Sequence, residues 1–313
     1  MHPFFSWLLV GFLCWRCDAL ALDKVHVAIG QIVEHQALDT LRISLKKGLE
    51  ERGYVEGKNL TWTYENAQGS PATAVQIGHK LTSLDPNVIV TLSTPMTQAV
   101  ASSTDKIPIV FGAVSDPVAA KLNDLPNVTG LTDFVPPEKQ IDLAKIIVPT
   151  AKRVGVIFNS GEANSQKQVE LLKSLCTKQG IELVEATVTK SADVSSATKT
   201  LVGRVDVIIL PTDNTVISAL EAIIKIGVHN KIPIIGSDVD IVRRGAVAAY
   251  GVDWRESGYA IAHIVSDLLR GIPIKDIPIQ NPKELVLHVN PEAAERMGAH
   301  IPEYLQKRAD MVL

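Results

Sequence analysis

Six short polar clusters, each lying just after a run of apolar residues, are where this sequence could do chemistry. They are Gln31 with Glu34 and His35, Ser93-Thr94-Pro95, Ser115-Asp116-Pro117, Asn159-Ser160-Gly161-Glu162-Ala163-Asn164-Ser165, Thr212-Asp213-Asn214 and Ser237-Asp238. Ser, Thr, Asp and Asn cap the free N–H groups of a helix start, and Pro is at home in its first turn, so each cluster has a purely structural use. Brought together from two sides, hydroxyls and helix N-termini also favour a carboxylate, through unsatisfied N–H groups and the positive end of the helix dipole. Asp213 and Asp238, or Glu34, could hold an ammonium group. A cleft offering both complements suits a zwitterion.

Other chemistries have weaker support. No GxGxxG follows the first strand, and a phosphate-binding GxxxxGK loop, a GxSxG elbow and an HExxH helix are all missing from the sequence. Glu162 and Asp213 could form a catalytic carboxylate pair, which keeps an exported α/β hydrolase or lyase open as an alternative. The His residues have no metal-ligand spacing, and only His35 falls at an expected strand end, so no metal and no cofactor is expected. Phe134 stands where the chain is expected to cross between lobes, and its ring could cover the apolar part of a ligand. The other aromatic residues read as core.

The elements that must position these clusters follow from the pattern of apolar residues. The chain has 313 residues, 46% of them hydrophobic and 21% charged, with a formal charge of −3. That is enough for two cores, and it lacks the basic excess of a nucleic-acid partner. Continuous apolar runs at Val25–Ile29, Val88–Leu92 and Pro108–Phe111 predict parallel strands covered on both faces. Between them, Leu38–Leu49 repeats apolar residues every three or four positions and stops at Gly53, which predicts a helix. The same order then recurs from Val154. Pro86–Val90 is answered by Val205–Ile209, Lys106–Val110 by Lys231–Ile235, and the second series also has a helix stopping at a glycine, Gly180. Two equivalent Rossmann-like α/β lobes are therefore expected. Residues 22–133 with 253–277 form the first and 134–252 with 278–313 the second, so three segments cross between them as a hinge. Gly251–Tyr259 opens the helix that makes the return crossing, Glu284–Val289 reads as the last strand, and Asn290-Pro291 as a helix cap.

Residues 1–21 differ in kind. Phe4–Cys14 has the length of a signal-peptide apolar core, and Ala19-Leu20-Ala21 is a small-x-small cleavage site, so export to the periplasm with cleavage near Ala21 is expected. A membrane anchor, or a lipid attached through Cys14 or Cys17, is the alternative. Cys176 sits at a helical apolar position and is expected to be a buried core thiol.

The succession of Glu34–Asp39, Gly53–Asn59, Asn66–Gly69, Ser115–Val118, Asn127–Gly130, Asn159–Ser165 and Pro211–Asn214 resembles the ABC-transporter substrate-binding proteins of the tryptophan/tyrosine type. The likeness runs over nearly the whole chain after residue 21. It implies a type I periplasmic-binding-protein fold, a monomer, and capture of a small ligand, an amino acid and in particular an aromatic one, for an inner-membrane permease. By that analogy Thr94 and the Ser115-Asp116 turn would take the ligand's carboxylate and Asp213 or Asp238 its amino group. Asn159, Glu162, Asn164 and Ser165 would complete the closed pocket. Gln36 and Met96 depart from the family pattern, and Met96 stands next to the proposed site. A ligand-sensing lobe that reports to a signalling partner would use the same closed surface.

Overall fold

A computed structural model describes residues 24–313. Residues 1–23, on which the signal-peptide expectation and Cys14 and Cys17 fall, lie outside the described residues. Among the described residues, no helix is long and apolar enough to cross a membrane.

In the N-terminal lobe, Val25–Gln31 (β1), Leu60–Asn66 (β2), Val88–Leu92 (β3), Ile109–Val114 (β4) and Val128–Thr132 (β5) form a parallel sheet in the order β2-β1-β3-β4-β5. Gln36–Glu51 (α1), Pro71–Ser83 (α2) and Thr94–Ala101 (α3) connect the first four strands. Every residue of β3 and β5 is buried, which is why these strands read as unbroken apolar runs rather than alternating ones.

The chain then crosses to the C-terminal lobe at Asp133–Pro136. There Pro137–Ile147 (α4), Arg153–Asn159 (β6), Ala163–Gln179 (α5), Glu182–Val188 (β7), Val194–Leu201 (α6), Val207–Leu210 (β8), Asn214–Ile217 (α7), Leu220–Asn230 (α8), Ile234–Gly236 (β9), Asp240–Arg243 (α9) and Ala248–Gly251 (β10) follow. The order β7-β6-β8-β9-β10 repeats that of the first sheet, strand for strand. The expected duplication is present down to the matching Lys-Ile-Pro leads into β4 and β9.

The second crossing is Val252-Asp253. Asp253 caps Trp254–Leu269 (α10) by accepting from Arg255 N and Glu256 N at 2.8 and 3.0 Å, and α10 packs along α1 in the first lobe. Gly48 and Gly258 make that approach close, since a Cβ on Gly258 would come within 2.6 Å of Leu41 O. The third crossing lies later than the expected 277/278 boundary. Gln280 N donates to Gly130 O at 2.8 Å, Thr132 N donates to Gln280 O at 2.9 Å, and Ile279 packs on the first core. Residues up to Asn281 therefore edge the N-terminal sheet, and the chain crosses just before Val286–Val289 (β11). β11 is not the last strand. It runs antiparallel to β10, and after Pro291–Arg296 (α11) and Glu303–Arg308 (α12) the two-residue strand Met311–Val312 (β12) pairs with it. Asn290 caps α11 as expected, accepting from Ala293 N at 2.8 Å.

Two hydrophobic cores result, one under each sheet. Cys176 is 1% exposed within the second, and burial pushes its thiol up to about 11, as suits an inert core residue.

Candidate ligand cleft between the lobes

The carboxyl ends of both sheets face one gap, with α3 of the first lobe against α5 of the second. Trp254 at the head of α10 donates its indole Nε1–H to Asp238 Oδ1 across the gap at 2.9 Å, so the lobes are closed on each other. His35, Leu38, Ala113 and Trp254 on one side, with Asn164, Thr212, Asp213, Asn214, Ile217 and Asp238 on the other, line a narrow gap of about 20 Å³. In each lobe the lining loops follow the strands where the order reverses, which is where open α/β sheets bind ligands.

The N-terminal wall is built under strain. β3 ends in Ser93, held at φ 97° and ψ 155°, backbone that costs energy for any residue but glycine. Ser93, not Thr94, is the cap of α3. Its hydroxyl reaches Met96 N at 3.5 Å, and the Thr94 hydroxyl, 1% exposed, has no hydrogen-bond partner in the chain. β4 loses register with β5 between Phe111 and Val114, with Ala113 at φ 58°, and delivers Ser115, 4% exposed and also unpartnered. Asp116 accepts from Val118 N and Ala119 N at 3.0 and 2.9 Å. It closes a turn, and the helix expected at Asp116-Pro117 does not form. Directly after β5, Asp133 is 3% exposed and both of its carboxylate oxygens lack a partner. Burial pushes this carboxyl up to about 6; the neighbouring Ser115 hydroxyl opposes the rise and the charge of Asp238 adds to it.

The C-terminal wall is already satisfied. Glu162 accepts from Asn214 N and Nδ2 at 3.1 and 2.6 Å, from Thr215 N and Oγ1 at 3.0 and 2.8 Å, and from Asn164 Nδ2 at 3.3 Å. Asp213 accepts from Asn159 N and Ser165 Oγ, both at 2.6 Å, and caps α7 through Val216 N at 2.8 Å. Burial and the neighbouring Glu162 push the Asp213 carboxyl up, while its three donors favour the charged form. Asn159 also reaches Thr215 Oγ1 at 2.8 Å. The two carboxylates once weighed as a catalytic pair thus knit the loops after β6 and β8 into one rigid unit. Asn164 donates to Thr212 O at 2.7 Å and keeps its Oδ1 buried and unpartnered.

Of the expected site residues, Asn164, Asp213, Asn214 and Asp238 line the cavity, and Gln31, Glu34, Ser93, Thr94, Ser115, Asp116, Phe134, Asn159, Glu162 and Ser165 do not. Gln31 is fully buried, with its Nε2 on Val33 O and Asp39 Oδ1 at 2.8 and 2.9 Å and its Oε1 accepting from Arg42 at 3.2 Å, which locks α1 to the end of β1. Glu34 is exposed, and Phe134 is half-buried on the first crossing. Conversely, Asp133, Trp254, Leu38 and Ile217 belong to the site or its wall without having been singled out for it. His35, recognised as a strand-end residue, lines the cavity; burial lowers its pKa, against the opposing charge of Asp238, so the ring is neutral at pH 7.

Two duplicated lobes, three crossings and a polar cleft at the facing sheet ends define a hinge-closing binding protein of the type I periplasmic fold. The sequence pattern of the ABC transporter substrate binding protein family matches residues 26–313, and the chain belongs to that family. It is 36% identical over 277 residues to the tyrosine-binding protein of Clostridioides difficile strain R20291, covering 87% of this chain and 80% of that one. The ABC domain from Streptococcus pneumoniae solved in complex with L-Trp is 28% identical with a TM-score of 0.88, covering 93% of this chain and all of that one. The ligand-free, open structure of a substrate-binding protein with adhesive properties from Clostridium difficile is 36% identical, yet its TM-score is 0.68, over 92% of this chain and 99% of that one. This chain thus superposes better on the L-Trp complex than on the open, ligand-free structure, although it is more identical to the latter. The relatives compared are binding proteins rather than enzymes.

Proposed function

We propose that this chain captures an aromatic amino acid, tryptophan or tyrosine, between its lobes and presents the closed form to the permease of an ABC importer at the outer face of the cytoplasmic membrane. The observation that carries the reading is the set of buried polar atoms with no partner in the chain at the strand ends that face the gap: the Thr94 and Ser115 hydroxyls and the Asp133 carboxylate just after β3, β4 and β5, and Asn164 Oδ1 in the cavity lining. Leaving a buried polar group unsatisfied costs about 1–3 kcal/mol each, and more for a charge, so four together are retained where a ligand supplies the missing bonds. Thr94 at the head of α3 and Ser115 are donors suited to a carboxylate, aided by the N-terminal end of the helix. Leu38, Ile217 and the Trp254 indole give the gap between the lobes an apolar side for an aromatic ring. The relatives' reported ligands, tyrosine and L-Trp, agree with this chemistry.

Closure is the signal passed on. Contacts from both lobes exist only in the closed form, so ligand shifts the equilibrium by its differential affinity for the two states. The chain acts in this reading as a monomer in the periplasm, consistent with the signal-peptide-like start. Titration calorimetry with the twenty amino acids, purines and simple sugars tests it. Binding of tryptophan or tyrosine at micromolar affinity or better is expected, and no amino acid tighter than about 1 mM overturns it.

A further inference from the structure

We infer that Asp133 is the residue that grips the ligand's ammonium group, and that it thereby restricts the cleft to ligands bearing a primary amine. The inference rests on the proposed function and deepens it. Four carboxylates lie at or beside the cleft, and three are spoken for by the chain itself. Glu162 accepts five hydrogen bonds and Asp213 three, while Asp238 Oδ1 takes the Trp254 indole at 2.9 Å and Asp240 N at 3.1 Å. Asp133 alone has two buried oxygens of which neither makes a well-formed hydrogen bond, with only the nearby Ser115 hydroxyl favouring its charged form from a side chain.

The chain also supplies Asp133 no counter-charge. No Lys, Arg or His among the described residues forms an ion pair with it, and the charge it feels is that of Asp238, another carboxylate. The half-buried Asp240, whose Oδ2 is also buried and unpartnered, differs because Arg243 and Arg244 lie close enough to oppose its rise. A buried, unpaired carboxylate is costly, and a cation arriving with the ligand offsets that cost in the bound state only. Position agrees with this role. Asp133 is the first residue after β5, on the first crossing, beside Ser115 and near Asp238, which lines the cavity. Hydroxyls for the carboxylate and a carboxylate for the amine then stand on one wall, so a single lobe selects the zwitterion before the other closes.

The test compares tryptophan and tyrosine with their deaminated analogues, indole-3-propionate and 3-(4-hydroxyphenyl)propionate, on wild type and D133N by calorimetry. Wild type is expected to prefer the better-bound amino acid over its analogue by about 100-fold or more, as befits a desolvated charge pair. D133N is expected to bring that preference below about 10-fold, through weaker binding of the amino acid alone. A D133N protein that retains the wild-type preference overturns the inference. So does parity of amino acid and analogue in the wild type, which needs no variant, and D133S replaces D133N should the latter fail to fold. Absence of amino-acid binding by wild type is a different result and sinks the proposed function instead.

Discussion

The two walls of the cleft are made from equivalent loops of a duplicated fold, yet they handle polar groups in opposite ways. On the C-terminal side, Glu162 and Asp213 absorb eight donated bonds from Asn159, Asn164, Ser165, Asn214, Thr215 and Val216. On the N-terminal side, Thr94, Ser115 and Asp133 are as deeply buried and have no partner, and the backbone that presents them is strained at Ser93 and Ala113. The difference teaches that a carboxylate in a cleft is not by its type a ligand group. One wall is a self-satisfied lid and the other holds its bonding capacity in reserve.

The largest expected effect separates the walls by stability. Glu162→Ala and Asp213→Ala leave several buried donors stranded, so each is expected to cost about 3 kcal/mol or more in urea unfolding of the ligand-free protein. Unchanged stability with lost ligand binding would break the comparison.

Asp133→Asn is expected to act with the opposite sign, raising ligand-free stability at pH 7–8 by about 1–3 kcal/mol, since it removes an unpaired buried charge. The pH dependence follows from the raised pKa. Between the unfolded value of 3.8 and the folded value of about 6, the folded protein binds more protons than the unfolded chain. This group's contribution to stability is therefore greatest below pH 3.8 and declines as pH rises through about 6. Asp213 and Asp240, also raised, act in the same sense, so the D133N difference isolates Asp133. Ammonium binding needs the charged carboxylate, so amino-acid affinity is expected to weaken as pH falls below about 6. Melting curves and calorimetry from pH 5 to 8 check both trends, and parallel movement of stability and affinity would contradict them.

How much of this was legible in the sequence depends on whether neighbours along the chain or distant partners decide. β3 and β4 could be read because strands covered on both faces must be apolar throughout, and α1 and α5 because their periodicity ends at glycines. The segment Ile277–Asn281 gave no signal, since main-chain bonds to β5 hold much of it, and β12 is only two residues long. The loops after the strands face the gap, and four of the expected residues, Asn164, Asp213, Asn214 and Asp238, line it. Which carboxylate stays free was not readable, because Glu162 is satisfied by residues some fifty positions away at Asn214 and Thr215, and Asp213 by Asn159 and Ser165. Asp133 passed unremarked beside Phe134, as lacking a partner leaves no mark on composition.

Smaller effects sharpen the contrast. Thr94→Val and Ser115→Ala each remove a hydroxyl that bonds nothing in the chain, so stability is expected to stay within about 0.5 kcal/mol of wild type while affinity falls roughly 5- to 20-fold. Calorimetry beside urea unfolding reads both. Trp254→Phe deletes the bond to Asp238 that bridges the closed lobes. It is expected to lower the closed fraction without ligand and to weaken binding by up to about 10-fold, seen as a larger radius of gyration in small-angle scattering. An unchanged closed fraction would assign that bond no part in closure.

The central claim is that the N-terminal wall alone holds both poles of the ligand. A crystal structure of the complex with tryptophan or tyrosine tests it most directly. The account predicts the ligand amine within about 3 Å of Asp133 and its carboxylate on Thr94 and Ser115, with the bonds of Glu162 and Asp213 unchanged. An amine seated on Asp213 or Glu162, with Asp133 left unpaired, would contradict it.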